Sequence, residues 1–140
     1  MTVLTRALMT GALATTLLVA GTALTAEPSV ERGKKLFNTK AQCKTCHSVK
    51  AGVKRVGPSV FGTIGRKCGT AKKTRFSKGY KEACKKAPWT WDADNLDKYL
   101  EDPGKFVTEI RGKKSRSPMT RKTKKAADRA DIIAYIKTLK

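Results

Sequence analysis

Apolar residues recur at helical spacing in three parts of this chain. The three apolar faces consist of Val30, Gly33, Leu36 and Phe37, of Leu96, Tyr99 and Leu100, and of Ile132, Ile133, Tyr135, Ile136 and Leu139. Recurrence at intervals of three and four residues predicts amphipathic helices. Ser29, Asp92 and Asp128 are the expected N-cap residues, because short polar side chains accept hydrogen bonds from the first free amides of a helix. We expect the first helix to span residues 30–39, the second to follow Asp92 until Pro103 stops it, and the third to follow Asp128.

The segments between these helices carry no periodic pattern. Residues 48–87 are broken by repeated glycines, and residues 105–125 are basic, rich in Ser and Thr, and interrupted by Gly112 and Pro118. Such a long segment without regular structure is unusual in a compact domain, unless a cofactor supplies the surface against which it packs. No stretch alternates convincingly as a strand does. We therefore expect an all-α domain with two long loops, the second of them exposed with one buried residue.

Gly33 lies inside the first predicted helix. A glycine at such a position costs about 1 kcal/mol relative to alanine. Either another helix crosses closely at this point, or the glycine occupies a surface position where the cost is tolerated.

The first 26 residues have the three-part pattern of a secretory signal peptide. Arg6 precedes an apolar run, and small residues follow up to Ala26. This pattern predicts export to the periplasm, cleavage after Ala26 and a single domain over residues 27–140. The alternatives are cleavage after Ala23 and an uncleaved membrane anchor, although the apolar run is short for a spanning helix.

The chain is strongly basic. Its 31 Lys and Arg residues face 11 Asp and Glu residues, and only Arg6 of these would leave with the signal peptide. A field of this strength accelerates association with acidic partners and makes it dependent on salt. Charge alone would attract nucleic acid or anionic lipid equally well, but export argues against nucleic acid.

The pentad Cys43-Lys44-Thr45-Cys46-His47 is the strongest chemical motif. Two thiols three positions apart, followed by an imidazole, predict covalent attachment of haem, with the cysteines bonded to its vinyl groups and His47 bound to iron. A zinc site is unsupported, because His47 is the only histidine and no second paired-cysteine motif exists. A thioredoxin-like site would require a strand before the pentad and a helix after it. We therefore expect one covalent haem c.

Met119 is the candidate for the second axial ligand of the iron. Met1 and Met9 would leave with the signal peptide, so Met119 is the only methionine in the predicted domain. Its polar neighbours argue against a simple role as a flexible core residue. A lysine, a cysteine or water are the other possible ligands. Ligation by His and Met raises the potential and closes the iron to substrates, which suits transfer of one electron.

These residues resemble class I cytochrome c, the soluble family of bacteria and mitochondria. The matching stretches are residues 30–37, 43–47, 57–62, 65–67, 90–91, 95–96, 99–100 and 131–136. The resemblance implies a fold in which N- and C-terminal helices cross and long loops surround the haem. It also implies a monomeric electron carrier in the periplasm, with acidic redox partners such as a cytochrome bc complex, a terminal oxidase or a photosynthetic reaction centre. The alternatives from other classes are a haem enzyme or ligand sensor with an exchangeable sixth position, and a basic binding module.

The same resemblance assigns roles to individual residues. Pro58 would accept the Nδ1 proton of His47, and Arg66 and Trp91 would bond the haem propionates. Trp89 would be a packing or surface residue. It also places Gly33 and Phe37 against Ile132 and Tyr135, where the terminal helices cross.

The chain departs from the family pattern near Met119 and before Trp91. The stretch from Phe106 to Met119 is longer and more basic than usual, and Arg121 replaces an aromatic residue. Phe76 stands for the tyrosine that binds a propionate, unless Tyr80 takes that role.

Cys68 and Cys84 are additional to the family pattern. In an oxidising periplasm, two further cysteines that flank a segment rich in lysine and glycine most simply form a disulfide. Two free thiols and a redox-active pair are the alternatives.

Overall fold

The computed structural model describes residues 26–140, which fold into six helices. They are α1 Val30–Asn38, α2 Cys43–Cys46, α3 Lys78–Lys86, α4 Ala93–Glu101, α5 Pro103–Arg111 and α6 Ala126–Lys137. The described range contains no strand, only one isolated antiparallel bridge between Lys67 and Thr90. The expected all-α class is confirmed. The predicted signal peptide lies outside the described residues, apart from Ala26.

Helices α1 and α6 cross at Gly33. A Cβ atom at this position would lie 1.9 Å from the carbonyl oxygen of Asp131 and 3.0 Å from the Cβ of Tyr135. One turn further, the ring of Phe37 meets the ring of Tyr135 edge to face, with centroids 5.6 Å apart. The helices therefore approach so closely that only glycine fits at position 33, and the alternative of a surface position is wrong.

An ion pair links α1 to α6 at the edge of the same crossing. Arg32 donates from Nε to one carboxylate oxygen of Asp131 at 2.8 Å and from Nη2 to the other at 2.9 Å. The backbone amide of Ser29 donates to the same carboxylate at 2.7 Å. These hydrogen bonds, with that of Arg32 the largest contribution, hold the pKa of Asp131 below its usual value.

Aromatic side chains dominate the core next to this crossing. The ring of Trp89 meets those of Tyr80, Trp91 and Phe106 edge to face, with centroids 5.3 to 5.7 Å apart. Tyr99 completes the cluster with its ring centroid 5.0 Å from that of Trp91. Pairs with this geometry are more favourable than the buried area alone would make them. The cluster joins α3, α4 and α5 to the extended segment before α4.

Helix α4 ends at Glu101, just before Pro103, as expected, but helix α5 corrects the prediction that residues 105–125 form an exposed loop with one buried residue. Asp102 ends α4 and also caps α5, since its side chain accepts hydrogen bonds from the amides of Gly104 and Lys105. Pro103 occupies the first turn of α5, where a missing N–H costs nothing because that group would have no partner within the helix. The helix buries Phe106 and Val107 in the core.

Helix α3 was not expected within the region without periodicity. Ser77 caps it by accepting a hydrogen bond from the amide of Tyr80 at 3.3 Å. The helix buries only Tyr80 and Ala83 and exposes lysines on its other faces. So narrow an apolar face leaves a weak signal in the sequence.

Helix α6 begins three residues earlier than expected. It starts at Ala126, after Lys125, and no side chain caps its first turn. The predicted cap Asp128 lies within the first turn, where its charge complements the helix dipole. The three helices that the apolar pattern predicted are nevertheless all present.

The segment from His47 to Ser77 contains no helix, as expected. Its amides reach distant parts of the chain: Gly62 donates to the carbonyl of Leu139 at 2.7 Å and Gly65 to that of Trp91 at 2.8 Å. The segment is therefore fixed by backbone hydrogen bonds to the residues that follow α6 and to the strand-like residues before α4. Among residues 26–140, no helix has the length and apolar character needed to cross a membrane.

Candidate haem site

The two cysteines of the pentad lie on a single helical turn. Gln42 precedes the turn with φ +53°, and the amide of His47 closes it by donating to the carbonyl of Cys43 at 2.9 Å. Positions three apart share one face of a helix, so the thiols of Cys43 and Cys46 point to the same side. Burial raises the pKa of the Cys43 thiol to about 11. The turn thus presents two neighbouring sulfurs followed by the imidazole.

The imidazole of His47 is oriented by the next loop. Its Nδ1 lies 2.8 Å from the carbonyl oxygen of Pro58. Since a carbonyl can only accept, Nδ1 carries the proton and Nε2 keeps a free lone pair for a metal. Gly57 permits this arrangement, because a Cβ there would lie 2.4 Å from Cε1 of the ring. The amide of Gly57 donates to the carbonyl of Cys46 at 2.8 Å and fixes the loop against α2.

Arg66 and Trp91 lie side by side. The amide of Trp91 donates to the carbonyl of Arg66 at 2.9 Å. The guanidinium of Arg66 donates to the carbonyls of Ser59, at 3.1 Å, and Phe61. Burial lowers the pKa of Arg66, although arginine remains charged at any physiological pH. The indole of Trp91 is buried in the aromatic cluster.

Two contacts hold the segment around Met119. Met119 is half-buried against the core, and its amide donates to the hydroxyl of Ser117 at 3.2 Å. That hydroxyl also lies 3.3 Å from the hydroxyl of Tyr99. Burial raises the pKa of Tyr99, and the hydrogen bond to Ser117 opposes this shift. Neither Ser117 nor Tyr99 was expected to position this segment, and no sequence signal links residues so far apart.

Arg121 connects the Met119 segment to the pentad. Its guanidinium donates to the side-chain carbonyl of Gln42, the residue immediately before Cys43. Its charge also lowers the pKa of Cys43 slightly, against the larger effect of burial. The residue that departs from the family pattern therefore joins the two segments that carry the predicted ligands.

Phe76 packs against Tyr80, which in turn contacts Trp89. Their rings stack with centroids 4.8 Å apart and an interplanar angle of 11°. Burial raises the pKa of Tyr80. Both candidates for the propionate-binding position therefore pack together in the part of the fold that precedes Trp91.

The donor set fits a covalent haem. The chain offers two thiols on one turn and an imidazole whose Nε2 is available to iron. Within residues 26–140, one buried side-chain donor, Nε1–H of Trp89, has no hydrogen-bond partner from the chain. A buried donor of this kind is costly unless an acceptor from outside the chain satisfies it. Haem, when bound, supplies an iron that gains and loses a single electron.

Comparison with known proteins defines the class. The family model described as cytochrome c matches residues 30–140, so the chain belongs to the cytochrome c family and carries one covalent haem c. Its relatives named cytochrome c2 and cytochrome c-550 are electron carriers and not enzymes, which supports electron transfer by this chain and disfavours the alternative of a haem enzyme or sensor.

Particular relatives share most of the chain. Cytochrome c-550 of Novispirillum itersonii is 41% identical over 105 residues, which cover 74% of this chain and 94% of the relative. Cytochrome c of Euglena viridis is 42% identical over 110 residues, which cover 79% and 96%. The crystal structure of cytochrome c2 from Rhodobacter sphaeroides superimposes with a TM-score of 0.70 at 36% identity, covering 81% of this chain and 97% of that one. The class I cytochrome c fold is thereby confirmed.

Proposed function

We propose that this protein is a monomeric periplasmic electron carrier whose haem iron is held between His47 and Met119. It would take single electrons from a cytochrome bc complex and deliver them to a terminal oxidase or a photosynthetic reaction centre. Residues 1–26 would direct export and be removed. The observation that carries the proposal is the contact between Arg121 and Gln42. Arg121 lies two residues after Met119, the only methionine of residues 27–140, and Gln42 immediately precedes the turn that carries Cys43 and Cys46. The contact therefore joins the Met119 segment to that turn.

The proposed axial ligands are supported by the hydrogen bonds that hold each of them in place. His47 has its Nδ1 proton bonded to Pro58, and Met119 is positioned by Ser117 and Tyr99. A thioether opposite an imidazole stabilises the reduced iron and leaves no position for a substrate. Arg66 and Trp91 would bond the propionates from their adjacent positions.

Replacement of the thioether tests the ligand assignment. The oxidised wild-type protein should show the weak far-red absorption band of a bond between thioether sulfur and iron. Met119→Ala should lose this band and bind cyanide or carbon monoxide readily. Met119→His is the matched control, because it should remain low-spin without the band. A Met119→Ala protein that keeps the band would show that another group is the ligand.

The charge distribution indicates acidic partners. Seven lysines proposed for docking are all exposed: Lys44, Lys50, Lys54, Lys72, Lys73, Lys113 and Lys114. Two large apolar side chains, Val53 and Val56, are also exposed in the same loop as Lys54, at 44% and 82%. An apolar centre with a basic rim suits brief contact with an acidic redox complex.

Transfer rates at varied salt test this docking surface. With a detergent-solubilised cytochrome bc complex as donor, the second-order rate of reduction should fall steeply as ionic strength rises. Lys54→Glu should slow the reaction at low salt more than Lys137→Glu, which makes the same charge change at the end of α6. Equal effects of the two variants, or a rate independent of salt, would contradict docking through this surface.

A further inference from the structure

Cys68 and Cys84 lie together although 15 residues separate them along the chain. Both cysteines line the same groove, together with Pro88 and Trp89. Gly69, the residue after Cys68, has φ +74°, and a Cβ there would lie 3.6 Å from the Cys84 sulfur. The two sulfurs are therefore neighbours in the fold.

Each cysteine is held on a fixed element. The amide of Cys68 donates to the carbonyl of Trp89 at 2.8 Å, next to the bridge between Lys67 and Thr90. Cys84 lies in α3, one position after the fully buried Ala83. Both backbones are therefore anchored on neighbouring elements, which keeps the two side chains beside the same groove.

The connection between the two cysteines has little else to fix it. Residues 69–77 form no helix or strand, and Lys72 and Lys73 are exposed. Lys73 adopts φ +57°, a backbone conformation that residues other than glycine rarely adopt. Helix α3 itself has nine residues, too few to be stable without tertiary contacts. A covalent link at this point would restrict the unfolded chain and hold α3 in place.

We propose that Cys68 and Cys84 form a permanent disulfide that ties α3 to the segment before Trp89, rather than a redox-active pair. The proposal rests on export to an oxidising compartment. The two thiols would lose two protons and two electrons as the S–S bond forms. The electrons would pass to the disulfide of an oxidant protein, which becomes a dithiol through a mixed disulfide with this chain.

The surroundings of the pair explain both its formation and its inertness. Both cysteines line an open groove of about 320 Å³ that also includes Lys67 and Lys85, so an oxidant can reach the sulfurs. Cys68 is only 8% exposed, and burial raises the pKa of the Cys84 thiol. A thiol of high pKa is a slow leaving group, so the finished disulfide should resist exchange.

The other two cysteines do not compete for these positions. Cys43 and Cys46 lie on α2, and the sulfur of Cys43 faces the carbonyl of Ala41 at 3.8 Å. In the protein with haem attached they are thioethers and cannot react with alkylating agents. Alkylation therefore reports on Cys68 and Cys84 alone.

The test uses the holoprotein isolated from the periplasm of a host that attaches haem c. The protein is denatured, treated with iodoacetamide with or without prior reduction, and weighed by mass spectrometry. We expect no adduct without reduction and two adducts after it. Two adducts without reduction, in exported holoprotein with its far-red band intact, would overturn the disulfide and leave the electron-carrier proposal standing. Retention of the chain in the cytoplasm would instead contradict the proposed location, on which the disulfide depends.

Thermal unfolding and exchange tests distinguish a permanent link from a redox-active one. In the ferric state, the double variant Cys68→Ser/Cys84→Ser should melt about 10 °C below the wild-type protein and keep the far-red band below the transition. In a strong reductant, which opens the disulfide and also reduces the haem iron of both proteins, the two melting temperatures should coincide. Opening of the disulfide in the folded protein by a glutathione buffer of mild potential would overturn the assignment as a permanent link.

Discussion

Gly33→Ala tests the closest contact in the fold. The added Cβ would lie 1.9 Å from the carbonyl oxygen of Asp131, whereas ordinary contacts begin at 3.4 Å. The obstacle is backbone in the middle of α6, so no side chain can rotate away. Helix α1 or α6 would have to move by about 1.5 Å, which is the difference between these two distances.

The expected loss of stability follows from two opposing effects. Forcing an extra methyl group into a packed interface costs about 1–3 kcal/mol, and a backbone obstacle favours the upper end of this range. Alanine recovers about 1 kcal/mol through its higher helix propensity. The net loss should be about 2 kcal/mol, which lowers the melting temperature of a domain of this size by roughly 8 °C.

Gly104→Ala is the matched control. Gly104 also lies in a helix, but a Cβ there would meet its nearest neighbour, a carboxylate oxygen of Asp102, at an ordinary 3.5 Å. This variant should be as stable as the wild type or slightly more stable. Both proteins would be unfolded thermally in the ferric state and followed by far-UV circular dichroism. If Gly33→Ala melts at the same temperature as Gly104→Ala or above it, the helices do not cross as closely as the structure shows.

Three further variants test single contacts. Asp131→Asn removes the partner of Arg32. The pKa of Asp131 is depressed in the folded protein, so the carboxylate should stabilise the fold above about pH 4, the ordinary carboxyl pKa, and this stabilisation should disappear as the pH falls further. Equal differences in unfolding free energy at pH 7 and pH 3 would contradict this. Gly57→Ala places a Cβ 2.4 Å from the ring of His47 and should yield little haem-loaded protein, measured as Soret absorbance per polypeptide; normal loading would show that the loop yields. Arg129→Gln should cost about 2 kcal/mol in urea unfolding, since the buried guanidinium holds three partners; a change below 0.5 kcal/mol would refute its role.

The apolar pattern predicted the terminal helices and α4 because each buries a continuous face. It missed α3, whose buried residues Tyr80 and Ala83 stand among lysines. It also missed α5, because Pro103 both follows the end of α4 and begins α5, and only the cap residue Asp102 signals the second helix. A rule that gives a proline a single role therefore fails where the residue has two.

The site was predictable only in its local part. The spacing of Cys43, Cys46 and His47 is encoded within five residues. The structure places Cys43 and Cys46 on one helical turn and His47 immediately after it. The contact between Arg121 and Gln42 joins residues 79 positions apart, and it depends on the whole fold. Nothing in the composition of either segment indicates that they meet.

Only part of the long basic stretch before Met119 lies outside a helix. Helix α5 absorbs its first part and ends at Gly112, which adopts φ +72°. The chain then turns back, because Ser115 donates from its amide to the hydroxyl of Thr108 at 3.0 Å, and that hydroxyl lies 3.3 Å from the Ser115 carbonyl. The extra residues therefore form a tied turn that leads directly to Ser117 and Met119. This turn carries Lys113 and Lys114 on its exposed side, so the segment that supplies the proposed axial ligand also supplies part of the proposed docking charge.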